Sequence, residues 1–464
     1  MTDPIASMNT VDDLDAEVRG RVHRPGTAGF AAAVSGFDLA VTPAPDLVVS
    51  AIDEQDMAAA VVFAATHRLP VAIRATGHGP VPGADSGVLI DTRALTTVTV
   101  DPDRRTATTG AGVTWAQVLQ RCAPFGLIPV CGSAPSVGVA GYTLGGGLSP
   151  IGRRHGWAAD HVRRIRLVSP DGDVHQLSAD ADPDLFWAAR GGGGNFGAVT
   201  EIEFDLVDGT NLQGGGLYFP GETAAELLAT FAEVTTTAPE ELTLSVALIT
   251  FPAIEAVPAP LRGRFVAHLR VTYLGSAAEA ASLINPFRTV ATPLIDTVRP
   301  LLITEFGTIH NDPTRPQPVS CGGAVLPAWT DEASTLVLDG AGPSRPFMTE
   351  VRHLGGALSR QATVPNAVGH RDAQFNIFTS AYPGPWFSDA VAQQTDLYQR
   401  LRPLTGGRSL YNFTARPDGS AADVHAAFEP ATFSRLQQLK GQWDPQNIFR
   451  FNVSIPPSSA GATG

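Results

Sequence analysis

Residues 71–79 read V-A-I-R-A-T-G-H-G, an apolar run that ends in Arg74 and breaks into a loop where Gly77 and Gly79 flank His78. Glycine on both sides admits backbone N–H groups to distances from a ligand that a Cβ would forbid. Consecutive turn amides also form a concavity suited to phosphate. Taken alone, the pattern is equally that of a histidine in a surface turn. The reading as part of a nucleotide site depends on what the rest of the chain supplies.

Two further glycine-rich stretches supply it. Residues 129–162, PVCGSAPSVGVAGYTLGGGLSPIGRRHGWAADHV, carry Gly132, Gly138, Gly141, Gly145, Gly146, Gly147, Gly152 and Gly156, far above a background of roughly 7%. A flexible linker would not intersperse Val137, Val139, Leu144, Ile151 and Trp157 among them. The backbone is therefore expected to pack closely against something flat or polar. Residues 190–199, R-G-G-G-G-N-F-G-A-V, repeat the idea. Bulges and close strand crossings account for glycine in any one stretch, but three stretches together favour a ligand.

The elements that must position these loops follow from periodicity and caps. Residues 47–51 read as a strand, Asp53 caps a helix running to about residue 67, and residues 69–74 form a second strand entering the loop at His78. Short strands are expected at 88–91 and 98–100, with Asp101-Pro102-Asp103 as a turn. Thr114 and Gln117 form a capping box for a helix to about residue 123, ended by Gly126. Composition narrows the function. At 464 residues the chain suggests two domains, or one large α/β domain with an insertion. With 45 acidic against 32 basic residues, net −13, nucleic acid and anionic membrane are unsuitable partners, and a small molecule is expected. Cys122, Cys131 and Cys321 are too few and scattered for a disulfide framework or a zinc site. No metal is expected, and a reduced, cytoplasmic setting fits. No export signal or membrane span is evident.

The loop 74–79, residues 135–160 and residues 191–199 together resemble the flavin-linked oxidases of the berberine bridge enzyme type, within the vanillyl-alcohol oxidase superfamily with its PCMH-type FAD-binding domain. R-H-L-G-G-A-L at 352–358, H-R-D-A at 370–373, Tyr411-Asn412-Phe413, residues 436–440 and W-D-P-Q-N-I-F-R-F-N-V-S-I at 443–455 agree, in the right order. The resemblance implies an α+β fold with a two-part FAD-binding domain, residues 1–207 and 408–464. Between the parts lies a substrate domain, 208–407, with a large antiparallel sheet backed by helices. Strands are expected at 242–250 and 264–273, and helices at 277–284 and 389–401; the sheet's other face would roof the flavin.

The resemblance also implies site residues. His78 occupies the position bonded to the 8α carbon of FAD, which requires a neutral imidazole. Ala134 stands where many relatives carry a second, cysteinyl attachment, and Cys131 is out of register, so a single covalent link is expected. The FAD-binding residues implied are Arg74, Ala75, Thr76, Gly77, His78, Gly79, Val137, Gly138, Gly141, Tyr142, Gly145, Gly146, Gly147, Gly156, Asp160, Val199, Ile202 and Asn452. Ser149-Pro150 departs from the family pattern. On the strand after His370, alternation puts Gln374, Asn376 and Phe378 on one face, and no carboxylate follows Asp372. Relatives that oxidise unactivated alcohols often carry a tyrosine or glutamate base nearby; here Leu410 stands where one such tyrosine would be. Tyr142, Asn376 and Tyr411 are the catalytic candidates. Packing under the ring is the alternative for Tyr142, and a side chain on the wrong face the alternative for Tyr411. The implied function is an FAD-dependent oxidase taking hydride from a C–H beside an amine or hydroxyl and reducing molecular oxygen to hydrogen peroxide, as a monomer or homo-oligomer. The alternatives are a dehydrogenase of the same fold with another acceptor, and a flavin-loaded binding protein without efficient turnover.

Overall fold

A computed structural model of the chain describes residues 8–79, 84–345, 347–381, 384–414, 424–451 and 453–458. Its first sheet has four strands in the order Arg21–His23, Leu47–Ser50, Val88–Asp91 and Val71–Arg74. The last three are parallel, and Arg21–His23 runs antiparallel at the edge. Parallel neighbours need a crossover, and the helix Glu54–Thr66 provides it, its N-cap Asp53 accepting from the Asp56 N–H at 3.0 Å. Met57, Ala60, Val61 and Ala64 of this helix are buried on the sheet.

The second sheet is antiparallel, ordered Val98–Asp101, Thr106–Gly110, Ala198–Asp208, Val162–Val168 and Val174–Leu177, with Leu127–Pro129 paired to the far end of Ala198–Asp208. Helices Trp115–Cys122, Val139–Leu144, Pro183–Ala189 and Pro430–Trp443 share its core, and Gly126, at φ +65°, stops the first of them. The C-terminal helix is locked in by Lys440, which is fully buried. Its Nζ donates to the carbonyls of Asn195 (2.7 Å) and Phe449 (2.8 Å) and to Asp444 Oδ2 (2.6 Å). The Val71 N–H donates to the Ile448 carbonyl at 2.8 Å, so the end of the chain closes onto the strand that leads to His78.

The third sheet is antiparallel, with eight strands ordered Ile295–Asp296, Leu212–Pro220, Phe265–Leu274, Leu242–Thr250, Phe347–His353, Phe375–Ala381 and Ser320–Leu326, and Arg299–Pro300 beside Leu212–Pro220. Alternation decides its two faces. Leu244, Val246, Leu269, Val271, Val351 and Ile377 point to one side, under the helices Ala224–Thr237, Ala277–Val290, Asp331–Asp339 and Phe387–Thr405. Two helices outrun expectation: 277–284 continues to Val290 through Pro286, and 389–401 extends to 387–405 with Pro403 inside. The apolar cover each gives the sheet outweighs a single proline, which costs one backbone bond. The expected α+β architecture, with a large antiparallel sheet backed by helices, is the one observed. No helix among the described residues is long and apolar enough to cross a membrane.

Candidate active site

The strand Val71–Arg74 delivers the loop 75–79, and the loop leans on residues 36–38: the Phe37 and Asp38 N–H groups donate to the Thr76 and Gly77 carbonyls, both at 2.9 Å. Gly77 has φ +71°, and a Cβ there would lie 2.7 Å from the Gly36 Cα, so this glycine serves a close backbone approach. The His78 ring stacks on Phe37 (centroids 3.7 Å apart, planes at 15°), and its Nε2 is 2.9 Å from Ser136 Oγ. Burial brings its pKa down to about 4, against a weaker opposing pull from Asp312, so the imidazole is neutral at pH 7.

Residues 135–139 are strapped beside this loop. Trp115 and Ala116 N–H groups donate to the Val137 (3.1 Å) and Pro135 (2.8 Å) carbonyls, and the Val139 N–H to the Val113 carbonyl (2.9 Å). A relay joins the loop to the second sheet: the Thr92 N–H donates to the Arg74 carbonyl, Thr92 Oγ1 to the Ala111 carbonyl, and the Ala111 N–H to the Thr200 carbonyl. Val199 and Ile202 therefore sit on the strand tied to the loop, with Ile202 paired on both sides, to Thr109 and to Ile165.

Most of the glycines expected to meet a ligand meet protein instead. A Cβ on Gly145 would fall 1.9 Å from Asn412 Oδ1. On Gly147 it would lie 2.5 Å from the Tyr142 ring, on Gly156 2.7 Å from Asp160, on Gly191 2.5 Å from the Ala367 backbone, and on Gly193 2.0 Å from the Tyr411 hydroxyl. Gly146 has φ +106°, with Val368 at 3.3 Å. These stretches are crowded because three segments converge on them: Ala158 and Ala159 donate to the Gly147 and Gly146 carbonyls, Gly191 to that of Leu144, and Asn412 Nδ2 to that of Tyr142. Gly138 makes only ordinary contacts, with Ala75 and Thr76 at 3.5 Å, while a Cβ on Gly79 or Gly141 would meet nothing within 4 Å among the described residues. Those openings, beside a neutral imidazole, are where the residues fit a bound flavin nucleotide.

Several other expected site residues have different occupations. The Arg74 guanidinium is buried and donates to the Ala33 and Val34 carbonyls. Asp160 accepts from Arg371 Nη2 (2.6 Å), Asn366 (2.7 Å) and the Trp157 N–H (3.0 Å), which makes it a strut between residues 157–160 and 366–371. Asn452 lies outside the described residues. Tyr411 is corrected as a candidate base: its hydroxyl donates to the Val453 carbonyl (3.2 Å) and accepts from Asn195 (3.2 Å), inside the second-sheet core. The Tyr142 ring lies edge-on to Trp115 (5.4 Å), and its hydroxyl is buried without a hydrogen-bond partner among the described residues. Burial, with Cys131 nearby, pushes it well above the usual tyrosine range, so it holds its proton tightly. Cys131 is a fully buried free thiol.

The second face of the third sheet carries the site's charge, on residues outside the motifs described above. Glu350, fully buried, accepts from Arg270 Nη1 (2.7 Å), Ser245 Oγ (2.7 Å) and Arg352 Nη2 (2.8 Å). Burial alone would raise its pKa, but Arg270 and Arg352 outweigh that and hold it well below the usual carboxylate range. Arg270 also reaches His310 Nδ1 (3.1 Å) and His268 Nδ1 (3.4 Å). Burial first, then Arg270, depresses both histidines: His310 to about 4, and His268 well below its ordinary range. Arg352 lies over the rings of Phe378 (5.0 Å) and Phe413 (5.4 Å), and its strand partner Asn376 is fully buried with neither amide atom hydrogen-bonded. A cleft runs between this face and the glycine segment, lined by Ser133, Ser149, Pro150, Ser245, Arg270, His310 and Arg352. The available signal was H-x-R at 268–270 and E-x-R at 350–352, charged pairs with period two inside strands apolar on the other side.

Residues 45–178 match the family model described as FAD binding domain, and residues 420–456 the one described as Berberine and berberine like. The chain is an FAD-linked oxidoreductase similar to the berberine bridge enzyme-like proteins. This oxidoreductase is 26% identical over 472 residues to (R)-6-hydroxynicotine oxidase of Paenarthrobacter nicotinovorans, covering 96% of this chain and 98% of that one. Its fold is similar to that of BBE-like 1 from Physcomitrella patens (TM-score 0.83, 22% identity, covering 97% of this chain and 100% of that one). It is also similar to that of xylooligosaccharide oxidase from Myceliophthora thermophila (TM-score 0.84, 19% identity, 97% and 99% covered). FAD is the cofactor.

Proposed function

We propose that this oxidoreductase is an oxidase that removes hydride from a C–H beside an amine, or beside a hydroxyl, of a small molecule and passes the electrons to molecular oxygen, giving hydrogen peroxide. The observation that carries this reading is the cleft between the glycine segment and the Arg270–Glu350–Arg352 face, in a chain whose glycine loop holds a neutral histidine. Bound FAD supplies the hydride acceptor and the electron outlet. His78 would carry it covalently and alone, since Ala134 offers no thiol. In the tautomer that donates Nε2–H to Ser136 Oγ, Nδ1 keeps the lone pair that a bond to carbon needs. Backbone at 75–79 and 137–147 would hold the rest, and Val199, Ile202 and Asn452 would complete the set.

On the substrate side the chain orients and excludes water more than it moves protons. Glu350 is ionised but saturated by two guanidinium groups, and a carboxylate held that low is a weak base. Tyr142 holds its proton tightly, Tyr411 is committed elsewhere, and the Asn376 amide can only donate and accept hydrogen bonds. This set suits an amine or another activated carbon, whose own electrons assist departure of hydride, better than an unactivated alcohol. The nicotine-derived name of the bacterial relative points the same way. Residues 1–207 and 408–464 are proposed as the FAD half and 208–407 as the substrate half, supported by the third sheet's strands falling within 212–381. The free cysteines support a reducing, cytoplasmic setting.

The test is anaerobic titration of the holoenzyme with a panel of amines and secondary alcohols, following loss of flavin absorbance, then admission of air with peroxide measured. Bleaching by an amine with stoichiometric peroxide on reoxidation is expected. Bleaching by alcohols alone would refute the preference for amines, and bleaching by neither class, or reoxidation without peroxide, would overturn the reading.

A further inference from the structure

We propose that His370, Asp372 and Glu429 form a binding site for a divalent transition-metal ion such as Zn2+, clasping the loop ahead of the strand Phe375–Ala381 to the start of the helix Pro430–Trp443. The site lies in a broad surface cavity away from the Arg270–Glu350–Arg352 face, lined among others by Asn366, Arg402 and Arg408. The three residues offer one imidazole nitrogen and two carboxylate oxygens, all within 4.8 Å of one another.

The histidine shows why a cation belongs there. His370 is 3% exposed, and its Nε2 lies 2.8 Å from the Ala426 carbonyl. A carbonyl only accepts, so Nε2 carries the hydrogen and the lone pair of the neutral ring is on Nδ1. That Nδ1 is buried, makes no hydrogen bond among the described residues, and looks at Glu429 Oε1 from 3.5 Å. A lone pair facing a carboxylate is repulsive unless positive charge, a proton on Nδ1 or a cation, lies between them. An imidazole whose second nitrogen is fixed by a backbone carbonyl is the usual state of a metal-ligating histidine. One imidazole with two carboxylates is a donor set that zinc accepts, and their two negative charges match a dication.

The surrounding backbone is built to hold the histidine in place. His370 has φ +56°, a conformation uncommon outside glycine, and its N–H donates to Glu429 Oε1 at 2.7 Å. A Cβ on Gly369 would lie 2.4 Å from the Ala427 carbonyl, so glycine there allows the two segments to meet. The main competitor for the ion is Arg408, whose Nη1 is 2.8 Å from Asp372 Oδ2; Asp372 is 63% exposed and can turn from one partner to the other. Arg371 does not compete, being engaged with Asp160.

The test uses the holoenzyme carrying His175→Ala, which removes the other cluster of suitable groups, Asp171, Asp173 and His175. After chelator treatment, the protein is titrated calorimetrically with Zn2+ and its thermal midpoint is followed. One ion per chain and a raised midpoint are expected, with Co2+ in its place giving absorption at wavelengths beyond the flavin bands. Asp372→Asn, at an exposed position where folding is not at stake, and Glu429→Gln should each weaken binding by about tenfold or more. His370→Ala should abolish it. No bound Zn2+, or Zn2+ bound equally well by Asp372→Asn and Glu429→Gln, would overturn the proposal and leave a protonated His370 paired with Glu429 in its place.

Discussion

Replacing Glu350 by glutamine keeps the shape of the side chain and removes its charge, which isolates the electrostatic part of the cluster. The carboxylate compensates Arg270, 4% exposed, and Arg352, 16% exposed. Without it Arg352 can turn toward the cleft, but Arg270 stays buried among His268, His310 and an amide. Removing one partner of a buried pair costs about 3–5 kcal/mol, chiefly for the charge left behind, and the freedom of Arg352 puts this case near the lower end. For a unit of about 200 residues, ~3 kcal/mol lowers the thermal midpoint by roughly 6–12 °C. The pH dependence gives an independent check. Because the folded carboxyl lies well below its ordinary value of 4.5, its contribution is complete above that pH and is lost as pH falls through the depressed folded value. Thermal melts of wild type and Glu350→Gln holoenzyme should therefore differ fully at pH 7 and converge in acid. Equal midpoints at pH 7, or a gap that does not narrow below about pH 4.5, would refute the description of Glu350 as the ionised centre of the cluster.

Acid-precipitated wild type should stay yellow and fluoresce in denaturing gels, while His78→Ala loses both; flavin released from wild type would exclude the covalent link. Gly146→Val, at φ +106° with Val368 at 3.3 Å, should fold poorly or emerge without flavin, and a fully flavinylated variant would show the loop tolerates what its geometry forbids. His155 and His310, near 4, and His353, near 3, are depressed chiefly by burial from 6.5, so the unfolded chain binds protons that the folded one does not. Stability should fall as pH drops from 6.5 toward 4, by up to about 1.4 kcal/mol per pH unit for each group, and an acid-unfolding curve flat across that window would contradict their buried, neutral state. Val137→Leu, compared with wild type after anaerobic reduction and admission of air, should slow flavin reoxidation by filling space next to the loop; equal rates would remove Val137 as an oxygen gate.

Much of the fold was legible because local signals and the tertiary arrangement agree. Asp53, the Thr114–Gln117 box and Gly126 mark helix ends where the structure has them. The strand expected at 242–250 from the resemblance has those bounds in the structure. The helices misjudged in length contain Pro286 or Pro403, where a local rule stops a helix that its packing on the sheet continues. The glycines were recognised as close approaches, but sequence does not say what approaches. Gly145 needs its hydrogen because Asn412, 267 positions later, occupies the Cβ space, and Gly191 because Ala367 does.

The site was legible only on its cofactor side, and the reason is physical. A loop that grips a nucleotide is contiguous, and its glycines and His78 stand together in the chain. The substrate face is assembled across strand neighbours: Ser245 opposes both Arg270 and Arg352 in register, Arg352 opposes Asn376, and Arg270 meets Glu350 across the strand between them. Each strand contributes one or two polar residues that, alone, look like the solvent side of an ordinary antiparallel sheet. What separates the two readings is burial of the second face, which depends on residues 133–150 folding over it. Buried there, the same charges must neutralise one another, and Glu350 spends its basicity on two arginines. The weakness of every candidate base therefore follows from how the roof of the site is held together, and the chemistry is left to substrates that can release hydride without one.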